Sequence, residues 1–303
     1  MSTVWMFSGQ GAQKPGMGAG VAADPAAAEV YACASEHFGF DVARVSQEAA
    51  QEELNETKVA QGCMVALSVG LARALEARGH EPAAVLGFSL GQVSALAVSG
   101  MLGLDDAMRF AAFRAEAMSR AAQANPGAMC ALLGADEESA TALCAACAQD
   151  DVLVSANFNC PGQIVVSGSV AAIERAEEAW KAQKKRCSRL ATSGAFHSPL
   201  MQQAADELSA WLADVEFAEA RIPLIDNGTA RPLAAAEAKE RLAAHLTHPV
   251  RFEQSVRYLA EQGADTFVEV GFGGVLSGLV RRTDKTWGRP VVASLDDVES
   301  YEG

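Results

Sequence analysis

Residues 83–99 (AAVLGFSLGQVSALAVS) constrain the fold more than any other stretch of the chain. The apolar run Ala83–Phe88 reads as a buried strand, Gly87-Phe88-Ser89-Leu90-Gly91 breaks it, and an Ala/Val/Leu-rich helix follows at once. This is G-x-S-x-G in the strand–turn–helix setting that gives the motif meaning. The turn is sharp, glycines stand where flanking side chains would collide, and the serine Oγ is left exposed at the positive end of a helix. A capping serine in an ordinary βα turn uses the same residue types, but the setting favours a nucleophile at Ser89.

The rest of the chain alternates strands with helices around this turn. Thr3–Phe7 predicts a first strand, followed by the glycine-bearing loop Ser8-Gly9-Gln10-Gly11-Ala12-Gln13. That loop is either a plain βα turn or a donor of backbone N–H groups beside the nucleophile. It is not a phosphate loop, because no Gly-Lys-Ser/Thr follows. Residues 16–56 read as mainly helical with breaks at Pro15 and Pro25, and 57–78 as a long apolar helix ending at Gly79. Residues 104–124 read as a helix opening on Asp105-Asp106, with Arg114 in its middle. On local sequence alone Arg114 is a snorkelling or paired arginine. Beyond Pro126-Gly127 the pattern is strand 128–134, helix 136–149, strands 152–159 and 162–169, helix 170–183 and strand 186–193. That order is β-α-β-β-α-β, the ferredoxin-like arrangement. Then come a strand at 222–225, helices at 234–246 and 252–262, a strand at 265–270, the helix VLSGLVRR, a strand at 291–295 and an acidic tail expected to fray. The expected fold class is α/β: an α/β-hydrolase-like body with a mainly parallel sheet (1–125 and 194–303) plus an inserted ferredoxin-like subdomain (126–193).

Composition removes several function classes. A formal net charge of −14 argues against nucleic-acid binding. The seven cysteines are scattered, and Cys144-x-x-Cys147 has no matching pair elsewhere, so they read as small buried hydrophobes with no metal role; reduced thiols suit the cytoplasm. The N-terminus lacks a signal-peptide pattern, and no uninterrupted apolar run of about 18 residues suggests a membrane span.

A serine hydroxyl needs a base. His37 and His80 fall in apparent surface turns, and His245 and His248 in the run AHLTHP. His197 stands in Gly194-Ala195-Phe196-His197-Ser198-Pro199, where the chain re-enters the body near the sheet edge to which Ser89 points. His197 is therefore the favoured base. The best-placed acid to orient it is Asp226; otherwise a backbone carbonyl or an amide holds the tautomer.

With these residues in view, the chain resembles the malonyl-CoA:acyl carrier protein transacylases and the acyltransferase domains of polyketide synthases over nearly its whole length. The resemblance is carried by Phe7-Ser8-Gly9-Gln10-Gly11-Ala12-Gln13, Gly87-Phe88-Ser89-Leu90-Gly91-Gln92, Arg114, Pro126-Gly127-Ala128-Met129, Asn157-Phe158-Asn159-x-Pro161-Gly162-Gln163, Gly194 to Pro199 with Met201, and Glu269-Val270-Gly271-x-Gly273-x-x-Leu276. It implies that Ser89 is acylated, that His197 is base and then acid, and that the backbone N–H groups of Gln10 and Leu90 form the oxyanion hole. It further implies that Arg114 clamps the free malonyl carboxylate. Malonyl-CoA would be the substrate, with no bound cofactor, and an acyl carrier protein the acceptor. Phe88, Asn157, Asn159 and Phe196 would line the pocket, with Phe196 leaving no room for an α-methyl group. Three positions depart from the family pattern: Phe88 replaces a histidine, Gln92 a glutamate, and His245 a glutamine whose backbone carbonyl and amide orient the base.

The basic cluster Lys181, Lys184, Lys185, Arg186 and Arg189 reads either as a solvated helix end or as a dock for the acidic carrier. The leading expectation is a freestanding, monomeric, cytoplasmic malonyltransferase of fatty-acid synthesis. A trans-acting polyketide acyltransferase, an acyl hydrolase and a non-catalytic carrier-binding module are the alternatives. Arg114 argues against the hydrolase, and intact Ser89, His197 and Arg114 against the module.

Overall fold

A computed structural model describes residues 2–192 and 194–303. Strand β1 (Ser2–Phe7) is buried on both faces: Trp5 and Phe7 enter one apolar core while Val4 and Met6 enter another. That double burial is what a parallel sheet covered on both sides requires. Residues 16–56 form a 3-10 turn (Val21–Ala23) and three separate helices, α1 (Pro25–Phe38), α2 (Val42–Glu48) and α3 (Gln51–Leu54). Asp24 caps α1 by accepting the Ala26 N–H, with Pro25 in the first turn, and Asp41 caps α2. Helix α4 (Thr57–Ala77) is the one helix among the described residues long and apolar enough to cross a membrane by length and composition, although polar residues interrupt it. Its apolar window is 89% buried inside the protein, so its hydrophobicity serves the core. Strand β2 (Ala84–Gly87), helix α5 (Gly91–Ser99) and helix α6 (Leu104–Ala124) follow the expected pattern.

The next segment forms β3 (Gly127–Ala135), α7 (Glu137–Ala148), β4 (Leu153–Cys160), β5 (Gly162–Ser169), α8 (Val170–Ala182) and β6 (Cys187–Arg189). These four strands run antiparallel in the order β6-β3-β5-β4, and the two helices seal Leu132, Val166, Ile173 and Trp180 into a core of their own. The strand expected over 186–193 is cut to three residues, because Leu190 to Thr192 leave the sheet to line a cleft. Its last residue, Ser193, lies outside the described residues, as does Met1.

A 3-10 turn (Pro199–Met201) leads into α9 (Gln202–Leu212), and β7 (Leu224–Ile225), α10 (Ala235–Ala244), β8 (Val250–Arg251), α11 (Phe252–Glu261), β9 (Ala264–Val270), α12 (Val275–Thr283), β10 (Val291–Val292) and α13 (Leu295–Ser300) complete the chain. The first sheet is parallel throughout, in the order β10-β9-β1-β2-β7. Its outer strands β7 and β10 are shorter than expected. The acidic tail is not frayed: Ser294 caps α13, and Arg78 pairs with Glu299. β8 falls between the two predicted helices, at residues to which the sequence pattern assigns no element. It pairs in parallel with β4, Asn157 opposite Val250, and so extends the second sheet with chain from beyond His248.

Candidate active site

Ser89 leaves the C-terminal end of β2 and enters α5 in a left-handed conformation, φ 52°, strained for a residue with a Cβ. Gly91 lets α5 sit against β1, since a Cβ there would lie 2.0 Å from the Phe7 carbonyl oxygen. Gly9 does the same for the first loop, where a Cβ would meet the Phe88 carbonyl at 2.6 Å. These two contacts press the Gln10 loop against the Ser89 turn. Both Gln10 and Leu90 line the cleft beside Ser89, and their backbone N–H groups have no acceptor among the described residues.

The Ser89 Oγ lies 2.7 Å from His197 Nε2. His197 Nδ1 faces two backbone carbonyl oxygens, that of His245 at 2.9 Å and that of His248 at 3.1 Å. Carbonyls only accept, so the proton sits on Nδ1 and the Nε2 lone pair is free to receive the Ser89 proton. His197 is 3% exposed. Burial first, and then the charge of Arg114, push its pKa down to about 4, while the two carbonyls pull upward. At neutral pH the ring is an uncharged base.

Asp226 does not take the role the sequence suggested. One carboxylate oxygen accepts from Gln92 Nε2 at 3.2 Å and the other from the backbone and hydroxyl of Thr229, so the carboxylate is spent on the turn after β7. The orienting group is the peptide backbone after α10, which β8 fixes through its pairing with β4. The His245 side chain packs beside His197, ring centroids 5.1 Å apart, with its Nε2 buried and without a partner among the described residues; burial lowers its pKa well below the usual value.

Arg114 is 2% exposed on α6. Its Nη1 donates to Gln61 Oε1 at 2.8 Å, its Nη2 is buried without a partner, and no carboxylate pairs with it among the described residues. Burial lowers its pKa to about 10. A buried guanidinium with a free donor opening on a cleft is a receptor for an anion.

Phe88, Asn157 and Phe196 line this cleft with Ser89, His197 and Arg114. Asn159 does not; it is buried further along β4, its Oδ1 without a partner among the described residues. A second cavity adjoins the first and shares Gln10, Gly11, Gln13, Phe88 and the stretch Leu190 to Thr192, continuing out past Asn55 and Val275. In the basic cluster, Arg189 pairs with Glu174 and Glu177, Lys181 reaches Glu177, and the Lys185 ammonium sits 4.0 Å from the Trp180 ring centroid. Lys184 and Arg186 are exposed and make no ion pair among the described residues.

Sequence reasoning missed Gln61, Asn227 and the pocket wall at Leu190 to Thr192. Asn227 accepts the Ser89 N–H at 2.7 Å, and its position two residues past the sheet strand β7, which pairs with the strand that delivers Ser89, is the available signal.

A model of the acyl transferase domain family matches residues 4–301. The malonyl CoA-acyl carrier protein transacylase of Escherichia coli (strain K12) is 38% identical over 282 residues, 92% of this chain and 91% of the relative. That of Bacillus subtilis (strain 168) is 37% identical over 302 residues, 98% and 94% of the two chains. Among solved structures, a malonyl-transacylase in complex with its type II PKS acyl-carrier protein superposes with a TM-score of 0.94 at 34% identity, covering 99% of this chain and 98% of that one.

Proposed function

The chain belongs to the acyl transferase domain family, and from that premise we propose that it moves a malonyl group from malonyl-CoA to the phosphopantetheine thiol of an acyl carrier protein of fatty-acid synthesis, through a malonyl ester on Ser89. The observation that carries this reading is the buried Arg114, whose Nη2 has no partner among the described residues, in the same cleft as the Ser89–His197 pair. A hydrolase of neutral acyl chains gains nothing from such a cation; a substrate ending in a free carboxylate completes its hydrogen bonding. The transferases of Escherichia coli and Bacillus subtilis carry the matching activity in their names.

In this reading the thioester carbonyl lies between Ser89 and the N–H groups of Gln10 and Leu90. Ser89 Oγ attacks the carbonyl carbon as its proton passes to His197 Nε2. The oxyanion is held by the two backbone donors, an arrangement worth a few kcal/mol per donor. The C–S bond then breaks, and the imidazolium returns its proton to the departing CoA sulfur. The carrier thiol repeats the sequence in reverse: His197 takes its proton, the thiolate attacks the ester, and Ser89 Oγ leaves and is reprotonated. The malonyl carboxylate neutralises Arg114, which removes one of the influences that depress His197 and makes it a stronger base when substrate is bound. The adjoining cavity past Gln13 and Asn55 takes the pantetheine arm. Phe196 closes the acyl pocket against an α-methyl branch, a discrimination of about 1–3 kcal/mol. Residues 1–125 and 194–303 act as the catalytic body and 126–193 as the covering subdomain, working in the cytoplasm with no bound cofactor. A carrier of polyketide assembly is the second reading of the acceptor, because one similar solved transacylase is in complex with a type II PKS carrier.

The test is intact-protein mass after mixing with malonyl-CoA. A malonyl adduct that is absent in Ser89→Ala supports the proposal. No adduct, or one indifferent to that substitution, removes it.

A further inference from the structure

Gln92, on α5 just past the Ser89 turn, uses both ends of its amide in a fully buried setting. Its Oε1 accepts the Asn227 N–H at 3.0 Å and its Nε2 donates to Asp226 Oδ1 at 3.2 Å. The orientation is forced, because a peptide N–H only donates and must meet the amide oxygen. Asp226 Oδ2 is already taken by the Thr229 N–H and hydroxyl at 2.8 and 2.9 Å, so this carboxylate accepts on every side. Asn227, fixed at its backbone by Gln92, straddles the turn that presents the nucleophile. Its Oδ1 accepts the Ser89 N–H at 2.7 Å, and its Nδ2 donates to the Gly87 carbonyl at 2.6 Å. Ser89 therefore keeps its left-handed backbone while its N–H is tied to a side chain 138 residues away in sequence.

We propose that Asn227 is a positioning residue for Ser89, and that Gln92 and Asp226 hold it as a matched donor–acceptor couple that can be exchanged only as a pair. Q92E alone keeps an acceptor for the Asn227 N–H but sets a carboxylate oxygen against Asp226 Oδ1, where a donor now stands. D226N alone must keep its oxygen toward Thr229 and so turns an NH2 toward the NH2 of Gln92. Together, Q92E and D226N restore one donor and one acceptor at the 92–226 contact with its polarity reversed, and residues 92 and 226 still accept from Asn227 and Thr229. This explains physically how the chain tolerates glutamine at position 92: the aspartate at 226 requires a donor there.

The proposal rests on Ser89 being the acylated residue, and its test separates the two ideas. The rate of malonyl loading at saturating malonyl-CoA is measured at pH 8 for Q92E, D226N, the double variant and Asn227→Ala, each corrected by active-site titration. A second series follows Ser89 labelling by a fluorophosphonate, which needs the positioned nucleophile but not a malonyl pocket. A buried hydrogen bond lost from this couple corresponds to roughly tenfold in rate, so each single variant is expected to slow by about that much. The double variant is expected to return to within about threefold of the parent, a strongly non-additive cycle. Asn227→Ala is expected to slow loading with KM for malonyl-CoA unchanged. If the single variants do not fold, the double variant must fold and load. Single variants that load at the parent rate, or a double variant as slow as the product of its parts, overturn the proposal. A cycle present in fluorophosphonate labelling with no malonyl loading by the parent leaves the positioning role of Asn227 standing and removes the assigned reaction.

Discussion

His197 Nδ1 lies 2.9 Å from the backbone carbonyl oxygen of His245, and that peptide oxygen, with the one at His248, holds the imidazole where a serine triad would use a carboxylate. The orienting atom is independent of the side chain at 245. His245→Gln should therefore leave the single-turnover loading rate within about one order of magnitude of the parent, against the roughly 10⁴-fold loss that follows when a serine triad loses its orienting carboxylate. Rapid-quench mass measurement of the malonyl adduct decides the matter. A loss approaching the triad figure would mean that the imidazole, and not the peptide, orients the base.

Arg114 has one guanidinium nitrogen spent on Gln61 and one with no partner among the described residues. Removing the cation should cost the substrate a charge-assisted hydrogen bond, about 1.5–3 kcal/mol or ten- to a hundredfold in kcat/KM for malonyl-CoA. Acetyl-CoA has no carboxylate and leaves the buried charge uncompensated, so Arg114→Ala should spare or raise acetyl loading. Competition between the two thioesters, read as the ratio of adduct masses, reports both effects at once. Equal loss for both substrates would reject the carboxylate clamp.

Burial and Arg114 bring His197 to about 4, and burial lowers His245 as well. Both folded-state values lie below the 6.5 of an exposed histidine. Between about pH 6.5 and 4 the unfolded chain therefore binds protons that the folded chain refuses, and stability falls as pH falls through that window; above it these groups contribute no slope. The melting temperature should decline on acidification from pH 7, less steeply in His245→Gln, which has one fewer buried imidazole. For catalysis, the acid limb of kcat/KM for malonyl loading should lie well below pH 6.5. Arg114→Ala removes a depressing charge and should move the acid limb upward. A limb at 6.5 in the parent enzyme would show that His197 is solvated before substrate binds.

The parts of this site that are legible in the sequence are those with local signatures. Ser89 sits in a strand–turn–helix pattern, His197 stands where the chain passes from the second sheet towards α9, and the β-α-β-β-α-β order of 127–189 shows in its periodicity. What is illegible depends on distant pairing. Asn227 meets Ser89 across 138 residues, Gln61 meets Arg114 across 53, and β8 joins the second sheet by a two-residue match to β4. Strands of two residues such as β7 and β10 are too short to show alternation. The α13 helix was readable, since Ser294 followed by Asp297 is a capping pattern, but its acidity pointed to a frayed tail.

The wall of the cleft at Leu190 to Thr192 continues directly from β6, and the basic residues lie on β6, on the end of α8 and in the turn between them. Within that cluster the charges are not equivalent. Arg189 is paired with glutamates and Lys185 rests on Trp180, whereas Lys184 and Arg186 are exposed and unpaired among the described residues. Those two are the charges free to meet an acidic carrier on this otherwise acidic surface. Exposed rim charges act mainly on encounter rates and are screened over a Debye length of about 10 Å at 0.1 M salt. Lys184→Glu with Arg186→Glu should slow malonyl transfer to the carrier by about tenfold at low ionic strength, with the difference shrinking as salt rises. Loading from malonyl-CoA should change far less. Measured as two half-reactions over a salt series, equal slowing of both, or a transfer defect indifferent to salt, would show that the carrier docks elsewhere.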